Sequence, residues 1–324
     1  MLQARQLLID VSSDISSKDF TFNPNLGISL RDRVRDLADA FIRRPFYKLK
    51  YGKRYRNLPY KVDLVLPEKG ISLLERRKWI NKYSPLKNSR VLVLGCGAAS
   101  DFAILIRFQP KEIVGIDLLN YSRCWEIIKA YVTEKKLPVK LNFYQADANL
   151  LDTLELGEFN YIISDAVFEH CQDLEKVLRN CYKLLLPKGL MYAGYGQFWY
   201  CWGGDHFSGR DHIEHGYNHL LLNPVQYSEY FNNYVGDFNY ELTEGGCGGL
   251  FVLLDLFSKL SHKEYIELFT QTGFRVKEMI VEFSANAVQS LKSQELRQKL
   301  LSKFPKFTAD DFILKSHIGI FERV

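Results

Sequence analysis

The chain lacks any apolar run long enough to cross a membrane. Its longest such run, residues 250–257, is short and contains Asp255, whereas a membrane span needs about 20 apolar residues. The N-terminus also lacks the charged-then-apolar pattern of a secretory signal. These absences predict a cytoplasmic protein without a transmembrane segment.

Cysteine is scarce, and the basic residues only slightly outnumber the acidic ones. The six cysteines form no CxxC pair and show no metal-ligand spacing, which predicts reduced thiols packed as small hydrophobic residues. The net charge of +5 is too modest for a dedicated nucleic-acid-binding protein. At 324 residues, 47% of them hydrophobic, the chain suits one α/β domain with extensions, or one domain and a small second one.

A glycine turn stands at the centre of the sequence. The strand-like residues 91–94 end at Gly95, Cys96 and Gly97, and helical character begins again at Phe102. Gly95 allows a sharp turn, and Gly97 lets the backbone approach a ligand that a Cβ atom would exclude. Strand, glycine turn and helix together are typical of the first unit of a nucleotide-binding sheet.

Polar residues follow the later strand-like segments at regular intervals. Residues 112–116 lead to Asp117, residues 140–145 lead to Asp147, and residues 159–164 are followed by Glu169 and His170. An amphipathic helix then spans about 174–185, and Leu186-Pro187-Lys188-Gly189 separates it from a strand over 190–195. An acid at the end of the second strand is placed to accept hydrogen bonds from a ribose diol.

This order of segments resembles the class I S-adenosylmethionine-dependent methyltransferases of the small-molecule type. The resemblance rests on VLVLGCGAAS, IVGID, QADA, FNYIISDAVFEH and LLLPKGL, and covers about residues 86–195. It implies that S-adenosyl-L-methionine is the cofactor and that its methionine end lies at the glycine turn. It further implies that Asp117 binds the ribose and Asp147 the adenine amino group. The full set of implied cofactor-binding residues is Gly95, Cys96, Gly97, Asp117, Leu118, Asp147, Ala148 and Ser164.

Two positions depart from the family pattern. Val93 stands where the family usually has an acid, which puts one contact to the cofactor ammonium in doubt, and Ala99 replaces the usual third glycine. The competing interpretation is a dinucleotide site, which requires a third glycine at position 100, where this chain has Ser100. That interpretation also gives no role to Asp147 or to the Glu169-His170 pair.

The expected fold is α/β, a doubly wound, mostly parallel sheet of seven strands with a Rossmann-like methyltransferase topology. Strands predicted at 274–283 and 313–324 complete the sheet, the last one antiparallel. We expect an N-terminal helical and basic extension over residues 1–84 and a methyltransferase domain over 85–324. An aromatic-rich substrate insert should occupy about residues 196–260.

The extension contains an amphipathic helix and a basic segment. Apolar residues repeat at helical spacing from Leu30, and the segment from Phe41 to Arg56 carries seven basic residues and no acid. This segment predicts either a solvated extension whose aromatic residues pack on the domain, or contact with an acidic substrate or anionic membrane surface. Nucleic acid is the less favoured partner. The oligomeric state stays open.

The insert is rich in aromatic residues and histidines. Fourteen aromatic residues lie between positions 192 and 240, and four of the seven histidines lie within 206–219. His212, His215 and His219 would share a helical face, so a metal site is one interpretation. A substrate-binding or catalytic role for His206 and purely structural roles for the histidines are the others. The prediction retained is that no metal is bound.

Methyl transfer to a hydroxyl group benefits from a general base, because alcohol pKa values lie far above 7. His206, in the insert, and His170, after the fourth strand, are the two candidates. If His206 is the base, kcat/KM should rise with pH through the usual histidine range. The aromatic insert favours a small-molecule acceptor, and the resemblance implies that this is most often a sugar or secondary-metabolite hydroxyl. A small amine, or a non-catalytic platform that only binds the cofactor, are the alternatives.

Overall fold

The strands of the chain form one mixed sheet. A computed structural model describes residues 20–52, 58–68, 71–235, 251–252 and 254–324. Within them lie β1 Leu64–Pro67, β2 Arg90–Leu94, β3 Glu112–Asp117, β4 Lys140–Gln145, β5 Phe159–Asp165, β6 Leu185–Tyr195, β7 Phe274–Phe283 and β8 Leu314–Arg323. The spatial order is β1-β7-β8-β6-β5-β2-β3-β4. Only β8 runs antiparallel, to both β6 and β7.

The prediction of seven strands is wrong, because the sheet has eight. The additional strand, β1, comes from the predicted helical extension and pairs in parallel with β7. Its apolar run, Leu64 to Leu66, is too short to show a period in the sequence. Val65 and Leu66 become buried because β7 offers an edge to pair with. The boundary between residues 84 and 85 stays a prediction, although the extension supplies this strand.

Several strand predictions are confirmed, and one boundary differs. The bounds of β4 and β7 coincide with those predicted, and the last strand is antiparallel as expected. Strand β6 begins at Leu185 and not at Leu190, because Leu185 already pairs with Phe159 before the register shifts. The Pro-Lys-Gly sequence therefore lies inside the strand as an irregularity, with Lys188 at a positive φ of 63°.

Helices cover the sheet and build the insert. They are α1 Leu30–Ala38, a π-helical turn Asp39–Arg43, α2 Arg44–Tyr51, α3 Leu73–Tyr83, α4 Phe102–Ile106, α5 Ser122–Glu134, α6 Leu174–Leu184, α7 Asn218–Leu221, α8 Pro224–Val235, α9 His262–Gln271, α10 Ala285–Ser290, α11 Gln294–Lys303 and α12 Ala309–Ile313. A capping box between Ser261 and Glu264 begins α9. No described helix is long and apolar enough to cross a membrane.

Strand β2 is buried on both faces, as a central parallel strand should be. Leu92 and Leu94 face one core, while Val91 and Val93 face the other. Val93, at the position of the family's acid, is thus a core residue. This alternation fixes the direction in which the chain leaves the sheet at Gly95, and so it positions the glycine turn.

Candidate functional site

The glycine turn has the geometry that its sequence predicts. Gly95 has a φ of +67°, and a Cβ atom there would lie 2.1 Å from Cγ2 of Val167, in the loop after β5. Gly97 has a φ of +50°, and a Cβ atom there would meet nothing within 4 Å. Gly95 is therefore required by close packing between two loops, whereas Gly97 opens onto free space in which a ligand fits.

Asp117 ends β3 beside this turn. Its carboxylate accepts hydrogen bonds from the amides of Gly97 (2.7 Å) and Leu119 (2.9 Å), one on each oxygen. Burial raises the pKa of the carboxyl group, and the two amides partly oppose that shift. Each oxygen keeps a second lone pair for a donor such as a ribose hydroxyl. Leu118, between these residues, is exposed at the rim.

The remaining predicted cofactor residues differ in how accessible they are. Asp147 begins the 3₁₀ turn Ala148–Thr153 and accepts from the amide of Asn149 at 2.8 Å. Cys96 is buried, burial raises the pKa of its thiol, and its backbone amide donates to the carbonyl of Ile116 at 3.1 Å. Ser164 is 1% exposed, beneath the turn, and its hydroxyl has no hydrogen-bond partner among the described residues.

A buried ion-pair cluster beside the turn was missed in the sequence. The Arg77 guanidinium, from α3, lies 2.9 Å from Asp101 and 2.5 Å from Asp165. Arg76 and the Tyr192 hydroxyl also bind Asp165, at 3.0 and 2.7 Å. Asp101 begins α4 and Asp165 ends β5, so Arg77 ties two site loops to the extension. The one sequence feature that could have indicated this cluster is the pair of adjacent arginines, Arg76 and Arg77, in an amphipathic helix.

The two candidate bases, 36 positions apart in sequence, lie together. The ring centroids of His170 and His206 are 4.9 Å apart. Phe251 stacks on His170 at 3.9 Å, and Phe257 lies 5.6 Å from the same ring. Nδ1 of His170 is hydrogen bonded to the carbonyl of Leu256 at 2.9 Å, which leaves Nε2 free to face its neighbours. The insert and the loop after β5 therefore share one aromatic-walled site.

Glu169 is the third member of this cluster. It is 2% exposed, and neither carboxyl oxygen finds a well-directed hydrogen-bond donor among the described residues. Burial raises the pKa of Glu169 to about 8, and the backbone amides of Glu169 and Gly196 only partly oppose this shift. Burial lowers the pKa of His170 to about 4 and that of His206 to about 3. Both imidazoles are therefore neutral at pH 7, while Glu169 is mostly protonated.

Asp205 organises the loop that presents His206. Its carboxylate accepts from the amides of Phe207 (3.1 Å) and Ser208 (2.8 Å) and from the Tyr227 hydroxyl (2.5 Å). His206 itself has a φ of +60°, a strained conformation for a residue with a Cβ atom. The buried acid next to His206 therefore holds the loop in place, and the Nε2 atom of His206 is left buried without a partner among the described residues.

The three histidines predicted as a possible metal site, His212, His215 and His219, do not converge as a set of ligands. His215 pairs with Asp211, and Nε2 of His219 is hydrogen bonded to the carbonyl of Trp199 at 2.7 Å. His212 is exposed beside Glu214. Within the described part of the chain, Glu169, His170 and His206 form a different metal-capable group, with one ligand atom each and all three atoms within 4.8 Å of one another.

Comparisons with known proteins find similarity to methyltransferases. Residues 92–193 match the profile of a family described as a methyltransferase domain. A ubiquinone biosynthesis O-methyltransferase of Albidiferax ferrireducens is 26% identical over 117 residues, 36% of this chain and 45% of that protein. A malonyl-acyl-carrier-protein O-methyltransferase of Bacillus anthracis is 32% identical over 130 residues, 39% of this chain and 43% of that protein.

Among solved structures, a geranyl diphosphate C-methyltransferase from Streptomyces coelicolor aligns with 77% of this chain and 78% of its own, at 10% identity and a TM-score of 0.44. The chain spans less than half the length of the two curated relatives, so their acceptors do not carry over to it. The matched segment runs from β2 to β6 and contains the glycine turn, Asp117, Asp147 and the Glu169-His170 pair. Residues 92–193 of the chain are thus similar to a methyltransferase domain.

Proposed function

We propose that this protein transfers a methyl group from S-adenosylmethionine to a hydroxyl group of a small-molecule acceptor, such as a sugar or secondary metabolite. The observation that carries the proposal is the meeting of His170, His206 and Glu169 in one aromatic-walled site next to the glycine turn. A neutral imidazole with a free nitrogen suits the removal of a hydroxyl proton. An amine acceptor, or a platform that only binds the cofactor, would need no such cluster.

The residues at the strand ends fit the cofactor. In the proposed arrangement Asp117 accepts from the ribose hydroxyls, Asp147 accepts from the adenine amino group, and Leu118 and Ala148 pack beside the base. The backbone of Gly95, Cys96 and Gly97 lines the methionine end, with Ser164 beneath it. When bound, the cofactor supplies an electrophilic methyl group on a good leaving group. The chain's task is then to position the acceptor, exclude water and accept a proton.

In this proposal Nε2 of His206 accepts the proton of the acceptor hydroxyl. This nitrogen is buried and unpartnered among the described residues, and the imidazole is neutral because its pKa is lowered to about 3. A weak base of this kind needs its charged form stabilised in the transition state. The Glu169 carboxylate, within 4.8 Å, provides that stabilisation once it has ionised. Phe251 and Phe257 keep water away from the pair.

The proposal is tested by offering the purified protein hydroxyl and amine acceptors of similar size and measuring release of S-adenosylhomocysteine. Turnover with hydroxyl acceptors is the expected result. Turnover with amines alone would make the protein an N-methyltransferase. Tight binding of S-adenosylhomocysteine without turnover on an extensive panel would support a binding platform.

Asp117→Ala should weaken S-adenosylmethionine binding about 10-fold or more, because a charge-assisted hydrogen bond contributes about 1.5–3 kcal/mol. The variant also removes the acceptor that holds the Gly97 amide. Isothermal calorimetry measures the change, and Asp152→Ala, an exposed acid in the neighbouring 3₁₀ turn, is the matched control. Gly97→Val should be more severe, since its side chain would fill the open space. Unchanged affinity in Asp117→Ala would remove this residue from the site.

Chelation should leave turnover unchanged. In the proposed chemistry Glu169, His170 and His206 handle a proton and hold no ion. Activity is therefore compared before and after dialysis against a chelator, with metal content measured in both samples. Activity that is lost on dialysis and restored by a divalent cation would make the same cluster a metal centre.

A further inference from the structure

The N-terminal helical segment, residues 30–51, packs on the domain through buried acids in its first half and through tyrosine rings in α2. Asp36 is the buried residue of α1, and it accepts a hydrogen bond of 3.0 Å from the Ser72 hydroxyl at the start of α3. Asp39 is buried as well and pairs with Arg43 at 2.8 Å. Further along, the ring of Tyr51 lies 4.8 Å from that of Phe283 in β7. A surface helix ordinarily turns its apolar stripe inward, so this attachment is reversed.

The apolar side of the segment faces solvent. Of the fourteen large hydrophobic residues that are exposed in the described chain, seven lie here, between 53% and 81% exposed. They are Leu30, Val34, Leu37, Phe41, Ile42, Phe46 and Leu49. Their spacing follows i, i+4, i+7 in α1 and again from Ile42 through α2, so each helix presents one apolar stripe. A concentration of this kind marks an interaction site and is not random surface variation.

The same segment is strongly cationic where it meets solvent. Six basic side chains are exposed: Arg31, Arg33, Arg35, Arg43, Lys48 and Lys50. Its three acids are not: Asp36 and Asp39 are buried and Asp32 is half-buried beside Arg35. Packing therefore hides two of the three negative charges. Of the six exposed cations, Arg35 and Arg43 pair with acids of the segment, and the other four face solvent. The predicted basic run continues through Lys53, Arg54 and Arg56, which lie outside the described residues.

We propose that residues 30–51 form a docking surface for an anionic lipid bilayer. A helix with large apolar side chains on one side and arginine and lysine along its flanks lies in the membrane interface, its apolar side among the acyl chains. Anionic headgroups add about 1 kcal/mol for each basic residue near the surface. The segment is 22 residues long, or about 33 Å at the rise of a helix, a length typical of helices that lie in the membrane interface.

Two other occupants fit less well. In a symmetric dimer built on this surface, each copy would bring Arg31, Arg33, Lys48 and Lys50 against the same residues of its partner, whereas Arg35 and Arg43 pair with acids of their own copy. Single-stranded nucleic acid favours aromatic stacking platforms, whereas five of the seven apolar residues here are aliphatic. Aliphatic side chains flanked by cations match acyl chains beneath phosphate headgroups.

The test is co-sedimentation of the full-length protein with vesicles of phosphatidylcholine alone and with about 30% phosphatidylglycerol. We expect binding to the anionic vesicles, little binding to the neutral ones, and weaker binding as salt rises, since salt screens exposed charges. Arg31→Gln with Arg33→Gln should weaken binding about 25-fold, or about fivefold per cation. Leu37→Gln with Phe41→Gln should weaken it about tenfold or more without changing the charge.

The matched control is Ile127→Gln with Lys135→Gln, an exposed apolar residue and an exposed cation at α5, which should bind as the wild type does. Circular dichroism checks that all variants are folded. Absence of sedimentation with anionic vesicles at low salt would overturn the proposal. Equal binding to neutral and anionic vesicles would also overturn it, as would an equal loss of vesicle binding in the control variant. A third contrary result would be an oligomer that dissociates when Leu37 and Phe41 are replaced. Tight binding to single-stranded RNA in place of vesicles would assign the surface to nucleic acid.

Discussion

His206→Ala should lower kcat by about 10²–10⁴-fold and leave S-adenosylmethionine affinity unchanged. The imidazole is the proton acceptor in the proposed chemistry, and His206 is not among the residues proposed to hold the cofactor. Steady-state kinetics and calorimetry on the same preparation separate the two effects. His212→Ala is the control, because His212 belongs to the same insert but is exposed. Normal turnover in His206→Ala together with its loss in His170→Ala would move the assignment to the loop after β5.

The pH profile distinguishes Glu169 from the histidines. With its pKa raised to about 8, Glu169 is protonated and uncharged below that pH and ionised above it. Because the carboxylate stabilises the charged imidazole, kcat/KM should rise with pH through about 8 and then level off. In Glu169→Gln this rise of kcat/KM with pH should be absent. The sequence predicts a rise in the usual histidine range, but burial places the pKa values of both histidines near 3 and 4. A rise in kcat/KM through an apparent pKa near 6.5 would contradict this assignment.

The cofactor side of the site follows from local sequence. The glycine turn and the acids after β3 and β4 are read from short segments, because parallel strands bring their carboxyl ends to one edge of a sheet. The hydrogen bond from the Gly97 amide to Asp117 joins two such ends, 20 residues apart. The bounds of β4 and β7 are likewise predicted from short local segments.

The rest depends on contacts between distant segments. Glu169 and His206 meet because the insert folds back over the loop after β5, and no local pattern encodes that path. The pKa of Glu169 depends on burial, which the sequence does not show. Likewise β1 is four residues long and is a strand because β7 offers it an edge. The inverted attachment of α1 escaped prediction for a related reason: its amphipathic pattern gives the stripe but not the side on which the domain lies.

Arg77→Met should destabilise the folded protein by about 3–5 kcal/mol, because removing one partner of a buried ion pair leaves the other charge uncompensated. Arg77 is 1% exposed between Asp101 and Asp165. Arg76 still binds Asp165 in the variant. Most of the destabilisation should therefore come from the carboxylate of Asp101, which is left without its cation. Urea unfolding measures the loss. Arg179→Met, which breaks an exposed pair with Glu175, should change stability by no more than about 1 kcal/mol.

Adding Asp101→Asn to Arg77→Met should restore part of the stability, since the unpaired charge is then gone. Burial already raises the pKa of Asp101 even with Arg77 beside it, and losing the cation raises it further. A carboxyl group whose pKa is higher in the folded than in the unfolded state favours folding at low pH and loses that contribution as pH rises. The cost of Arg77→Met should therefore be smaller near pH 4 than at pH 7. A cost that is independent of pH, and not relieved by Asp101→Asn, would mean that Arg77 acts by packing against Tyr192 and not by its charge.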